Sequence, residues 1–309
     1  MRLSPIALLA LTLAAPLLLA ACTGDDDAGG APESMIVYEG AQGGVTNVYA
    51  VDADTAEARQ LTTDAAGSNG NPAWMPRRRE VIFRSRRDGQ EMMDLYAVSF
   101  EGNVVRRLTD TPDFGEWSPK FSPDGKRVTF TMETSEGEWF VAVMDTDFTS
   151  VERVAGPYDF AEFPAWTPDG GEIWFTARSP DTQGLDILSV DLDTREVTSQ
   201  VSTPRPDVCP HFTHDGTRVL YASVAEGRDD MDIFAHDRAS SAPLSPASDT
   251  QLTDSPEKDD YSNPSHDDET VVFLSERDGN SELYLMSADG SAQRRLTTTP
   301  DRRENVPDW

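Results

Sequence analysis

Five polar residues stand two or three positions ahead of a recurring proline: Asn69, Glu116, Glu162, Asp207 and Glu304. Four of the five are acids. Asp259 and Asp260 stand in a comparable place before Asn263-Pro264, and Asp260 completes the set. Carboxylates brought around one point raise each other's pKa, and a bound cation reverses that by favouring the ionised forms. Oxygen-only ligands suit Ca²⁺ or Mg²⁺ rather than Zn²⁺. A Lys or Arg from a partner could fill the same place. Asn69, Glu116, Glu162, Asp207, Asp260 and Glu304 are therefore the candidate binding set. Glu116, Glu162, Asp207 and Glu304 are the candidate ligands for Ca²⁺. Against this stands the plainer reading, solvated loop charges splayed outward.

Other chemistry is weaker. Cys209-Pro210-His211-x-x-His214-Asp215 has the residue types of a metal site. Yet these residues occupy positions that Ala, Phe, Asn and Pro hold in other copies of the phrase, so they read as structural filler. No Gly-x-Ser-x-Gly elbow is present, which argues against a nucleophilic hydrolase. The four histidines, His211, His214, His236 and His266, fall at unlike points of the repeat and predict no ring.

These residues must be positioned by a repeat. Pro72, Pro119, Pro164 and Pro210 are each followed eleven residues later by an aromatic: Phe83, Phe130, Phe175 and Tyr221. Between them lie an aromatic at Trp74, Phe121, Trp166 or Phe212 and, in three of four copies, Asp-Gly, a hairpin turn signal. The copy at Asn263-Pro264 is two residues short or shifted, which leaves its register open. Two further strand phrases occur six times each. One runs through Tyr49, Tyr96, Val141, Leu188, Phe234 and Tyr284. The other centres on Leu61, Leu108, Val154, Val201, Leu252 and Leu296, with steps of 47, 46, 47, 51 and 44 residues.

That period matches one four-stranded propeller blade. The long step holds a Ser/Pro-rich insertion at Ala239–Asp249. The last residues, Asn305-Val306-Pro307-Asp308-Trp309, are the start of the Pro phrase, while Met35-Ile36-Val37-Tyr38 reads as a second strand without a first. The prediction is all-β: a six-bladed β-propeller of four-stranded antiparallel blades over 35–309. Pairing of the C-terminal inner strand with the N-terminal strands closes it and removes exposed sheet edges. The acidic set then lines one mouth of the central channel. Trp74, Phe121, Trp166, Phe212 and Trp309 are expected between blades rather than as ligand stackers.

The Trp/Phe-x-Pro-Asp-Gly turn, the Arg-Asp-Gly turns (Arg87-Asp88-Gly89, Arg277-Asp278-Gly279) and the Arg-Leu-Thr strand resemble the WD-like propeller repeat of the TolB family. The resemblance covers nearly all of 35–309. TolB itself carries an additional α/β domain ahead of the propeller, for which the segment before Met35 has no room, so contacts made through that domain do not carry over. Peptidase relatives place their triad in an extra domain, and lyase relatives gather His around the pore with a metal. The repeat alone does not decide among these functions.

The N-terminus predicts an anchor. An apolar run follows Arg2 and ends Leu19-Ala20-Ala21-Cys22, which resembles a bacterial lipobox. Residues 1–21 are expected to be a signal peptide, with Cys22 lipidated. Residues 22–34 form an acidic tether. Thr23 after the Cys points to the outer membrane, with the propeller facing the periplasm or cell surface. The net charge of −29 disfavours nucleic acid and favours cations or a basic partner. With Cys22 lipidated, Cys209 has no disulfide partner. The expected function is a non-catalytic, monomeric, envelope-anchored module for a protein or peptidoglycan-associated partner. The alternative is a glycan-acting or other enzyme with a metal site in the channel.

Overall fold

The computed structural model describes residues 33–63, 68–76, 78–87, 91–102, 104–178, 184–240 and 242–309. The expected signal peptide, Cys22, most of the tether and the Asp88-Gly89 turn lie outside the described residues. The rest folds into six four-stranded antiparallel sheets. Blades 2 to 6 take their strands in chain order. Their inner strands are Asn69–Trp74, Phe114–Phe121, Ala161–Trp166, Asp207–Phe212 and Asp259–Pro264.

Blade 1 is composite. Its inner strand is Arg303–Asp308, paired with Met35–Gln42. The ends of the chain thus close the ring, as the half-repeats at the termini predict. The six inner strands contact their neighbours in a closed circuit around the axis.

The apolar period-two pattern explains why the blades stack. Both faces of the middle strands are apolar, so each must be covered by another sheet. Successive core clusters each combine residues of two adjacent blades. Val37, Val48 and Ala50 of blade 1 pack with Trp74, Phe83 and Tyr96 of blade 2. Val272 and Leu285 of blade 6 pack with Ile36 and Tyr38 of blade 1, which closes the cycle. Trp74 and Trp166 are buried in this inter-blade core, and Phe121, Phe212 and Trp309 pack partly buried against it.

The Asp-Gly turns are local chemistry. Ser122, Thr167 and Thr213 each donate a hydroxyl hydrogen bond to the Asp two residues on, at 2.6–2.7 Å. That Asp then accepts the N–H two residues later. The Gly between takes positive φ, 69° to 72°. Blade 6 repeats the turn through Ser265 and Asp267, with Asp268 in the Gly position at φ 59°.

This alignment resolves the register of blade 6. Asp259 pairs with Ser275 as Asp207 pairs with Ser223, and Asn263 pairs with Val272 as His211 pairs with Leu220. Ser262 therefore holds the place of the repeat proline, with Phe273 eleven residues later. The copy is not shorter. Its proline has moved two positions, to Pro264.

Candidate functional site

Successive residues of a strand point to opposite faces, so one position in the repeat decides where a carboxylate goes. Asn69, Glu116, Asp207 and Glu304 stand three residues before the repeat proline. Asp259 is their equivalent in blade 6, and Ala161 in blade 4. Glu162 and Asp260 stand one residue later, on the other face. The six candidate residues therefore do not form one ring. The spacing "two or three before Pro" merged two positions with opposite orientation.

In the first group Glu116, Glu304 and Asn69 stitch adjacent blades, while Asp207 and Asp259 bond side chains of their own blades. Glu116 accepts the Leu95 N–H at 3.1 Å and bonds the hydroxyl of Thr109. Glu304 accepts the Leu283 N–H at 3.1 Å and bonds the hydroxyl of Thr297. Both Thr belong to the Arg-Leu-Thr strand phrase of the preceding blade, as does Thr62 at the Asn69 seam. There Thr62 donates to Asn47 Oδ1 at 2.9 Å, and Asn69 Nδ2 donates to the same oxygen at 3.1 Å. Asp207 accepts from Ser223 Oγ and the Thr203 N–H. Asp259 takes the Arg277 guanidinium at 2.8 Å. Burial pushes Glu116 up to about 8 and Asp207 up to about 6.

These positions do not fit a shared Ca²⁺. Such an ion wants about six to eight oxygens around it. Glu116 Oε2, both oxygens of Asp207 and both oxygens of Glu304 are committed to protein partners at separate places around the ring, and Glu162 faces elsewhere. Among the described residues no group of three or more His, Cys, Asp or Glu is arranged to hold a metal.

The second group does face the axis, at the end where the inner strands begin. Glu162 lies 3.4 Å from Ser118 Oγ. Burial pushes its carboxyl up to about 7, against the pull of Arg84. Glu39 accepts the Asn71 N–H at 3.2 Å and lies 3.5 Å from Arg84 Nη2. Arg84 also covers the Trp117 ring at 4.4 Å. A Cβ at Gly70 would meet the Glu39 carboxylate at 2.0 Å, so any side chain there would have to displace this charge from its place beside Arg84. Asp260 pairs with Lys258, and burial pushes its carboxyl up to about 6. Glu39, Arg84 and Lys258 belong to strands or loops other than the Pro phrase, which is why sequence periodicity did not draw them in.

Midway along the axis the channel closes. Asn71, Ser118, Phe163, Cys209, Tyr261 and Val306 all have positive φ, between 45° and 57°. Each sits at a bulge of its inner strand. The bulge turns Phe163 of blade 4 and Tyr261 of blade 6 into edge-to-face contact, with ring centroids 5.0 Å apart. Blade 5 separates these two blades, so the contact bridges the opening. The space left beside them is about 10 Å³, at most a single water.

Beyond this waist lies a bowl of about 230 Å³, bounded by blades 1, 3, 4, 5 and 6. Lys120 and Asp308 form an ion pair in it, with side chains 18% and 13% exposed. Asp308 also accepts the Trp74 N–H at 2.8 Å and the Asn263 amide at 3.3 Å. The Nδ1 of His211 is buried without a hydrogen-bond partner. Burial and the nearby Lys120 push that imidazole down to about 3, so it is neutral. Phe121, Trp166, Phe212 and Trp309 supply the apolar wall. Lys120, His211, Asn263 and Asp308 occupy the position after the repeat proline, and that shared position is the signal by which the sequence could have disclosed the bowl.

The TolB beta propeller domain pattern matches residues 29–201, more than half of the chain. An uncharacterized protein of Agrobacterium fabrum is 31% identical over 153 residues, 46% of this chain and 51% of the relative. The Tol-Pal system protein TolB of Francisella tularensis is 26% identical over 205 residues, 65% of this chain and 46% of the relative. The matches thus span about half the length of these curated relatives. The crystal structure of TolB from Acinetobacter baumannii superposes with a TM-score of 0.73 at 19% identity, covering 92% of this chain and 67% of that one.

Proposed function

Because this chain belongs to the TolB β-propeller domain family, we propose that it is a protein-binding module of the cell envelope and not an enzyme. The carrying observation is the bowl at the axis: a buried Lys120–Asp308 pair and a neutral His211 set among aromatic walls, above a channel stopped by Phe163 and Tyr261. Pockets for whole small molecules run from about 300 to 1,000 Å³. A bowl of about 230 Å³ suits one side chain or chain end of a larger partner. The four histidines do not gather at the axis: His236 is held against Asp249 inside blade 5, His211 is buried in the bowl, and His214 and His266, at the same point of the repeat, meet at the exposed rim. That supports a non-catalytic reading over a pore enzyme.

The module acts as a monomer tethered through lipidated Cys22 to the outer membrane. Its partner is a protein, peptidoglycan-associated and with a basic surface, for which the net charge of −29 provides long-range attraction. Crosslinking and pull-down from intact envelopes test this, comparing the native chain with Phe212→Ser and Lys120→Met. Loss of one crosslinked protein in both variants is the expected result. Equal recovery from all three would overturn the assignment of the bowl. Label retained on Cys22→Ser after feeding a fatty-acid analogue would overturn the anchor.

A further inference from the structure

Two histidines fifty-two residues apart meet on the face around the bowl. His214 follows the inner strand of blade 5, and His266 follows that of blade 6. His214 Nε2 lies 3.3 Å from His266 Nδ1, and the ring centroids are 5.1 Å apart at an interplanar angle of 71°. Both rings are exposed.

Two kinds of contact bring imidazole nitrogens this close. Two imidazoles on one tetrahedral ion, each with a metal–nitrogen distance of about 2.05 Å, place their nitrogens about 3.35 Å apart and their ring centres about 5.2 Å apart. A straight N–H···N bond of the observed length would hold the ring centres about 5.6 Å apart. The observed pair, 3.3 and 5.1 Å, is the spacing of shared ligation of an ion, and without an ion the same pair is held by a bent N–H···N bond.

Asp268 fixes the tautomer this needs. Its Oδ1 accepts the His214 backbone N–H at 2.8 Å, and its Oδ2 accepts the Asp215 N–H at 2.9 Å. The same Oδ1 lies 3.2 Å from His214 Nδ1. A carboxylate can only accept, so the neutral His214 ring carries its proton on Nδ1 and leaves the Nε2 lone pair directed at His266. A carboxylate behind a ligating histidine is the usual support of a metal-bound imidazole. Asp268 stands where the equivalent turns have glycine, at φ 59°.

We propose that His214 and His266 form a site for a divalent transition-metal ion across the boundary between blades 5 and 6, with Asp268 orienting His214. Imidazole donors suit Zn²⁺, Cu²⁺ or Ni²⁺ and not Ca²⁺. Since no third His, Cys, Asp or Glu among the described residues completes the set, the remaining positions of the ion are open to water or an external donor. His214 borders the bowl, while His266 borders a neighbouring hollow at Trp309.

The test uses the full mature chain freed of metal with a chelator. Calorimetric titration with Zn²⁺ should show one saturable site that excess Ca²⁺ does not displace. His214→Ala and His266→Gln should each weaken it at least tenfold. Asp268→Asn should weaken it about tenfold, the scale of a lost supporting carboxylate. Cu²⁺ bound to the native chain should show two nitrogen couplings in its paramagnetic resonance spectrum, and one in His266→Gln. Both histidines are exposed, so unchanged melting curves will show that the variants fold. Absence of a saturable site, binding unaltered in both histidine variants, or a single nitrogen coupling in the native chain would each overturn the proposal.

Discussion

The carboxylate of Glu304 accepts the backbone N–H of Leu283 at 3.1 Å, across the seam where the last inner strand meets blade 6. Glu116 makes the same bond to Leu95 between blades 3 and 2. In each case the adjoining Thr of the preceding blade shares the carboxylate and the N–H. An acid before the proline and a Thr after Arg-Leu are thus two halves of one inter-blade latch. Repetition around the ring reflects assembly of blades and not a common ligand.

The latch at Glu116, together with Glu162 at the axis, gives the propeller a pH dependence. Glu116 is held up to about 8 and Glu162 up to about 7, both mainly by burial, against 4.5 for an unperturbed Glu. As pH rises above about 4.5, the unfolded chain releases protons that the native state keeps, so stability falls until the pH passes the folded-state values. The protein should melt at a higher temperature at pH 5 than at pH 8.5. Glu116→Gln, which has no proton to lose, should flatten that profile by more than about 1 kcal/mol. Thermal melts of both proteins across this range check it, and an identical slope would contradict the burial argument.

Asp308 and Lys120 should not be equivalent although they pair. Lys120→Met removes the cation but leaves Asp308 with the Trp74 N–H and the Asn263 amide. Asp308→Ala strands a largely buried ammonium and frees a backbone donor at once. Loss of one partner of a buried pair costs about 3–5 kcal/mol when the other is left uncompensated. Asp308→Ala should therefore be the more destabilising by at least about 1 kcal/mol. Denaturant unfolding of both single variants would show it, and equal midpoints would argue against the wider role of Asp308.

At the waist, ring and backbone can be separated. Phe163→Ala removes the contact with Tyr261 while keeping a Cβ at φ 57°. Phe163→Gly removes the same ring and also the left-handed penalty of about 1 kcal/mol. Glycine should consequently be no less stable than alanine here, the reverse of its usual rank in a strand. Both should lie about 1–3 kcal/mol below the native protein. A glycine variant clearly less stable than alanine would refute the strain at this bulge.

The sequence by itself determined the ring. Prolines with aromatics eleven residues on, together with six copies of the Leu/Val-centred phrase, set the blade length, and the half-phrases at Met35–Tyr38 and Asn305–Trp309 set the closure. These signals are local, because hydrogen bonding and turn chemistry act within a blade. What occupies the axis was decided only by the tertiary structure. A one-residue difference between Glu116 and Glu162 sends one carboxylate into a seam and the other towards the axis. The bulge at Phe163 and Tyr261 then turns two aromatics across the opening, and rotation about the axis brings His214 beside His266. Spacing along the chain records the period of a repeat. Which way a side chain faces depends on strand parity and bulges, and which side chains meet depends on the rotation between blades.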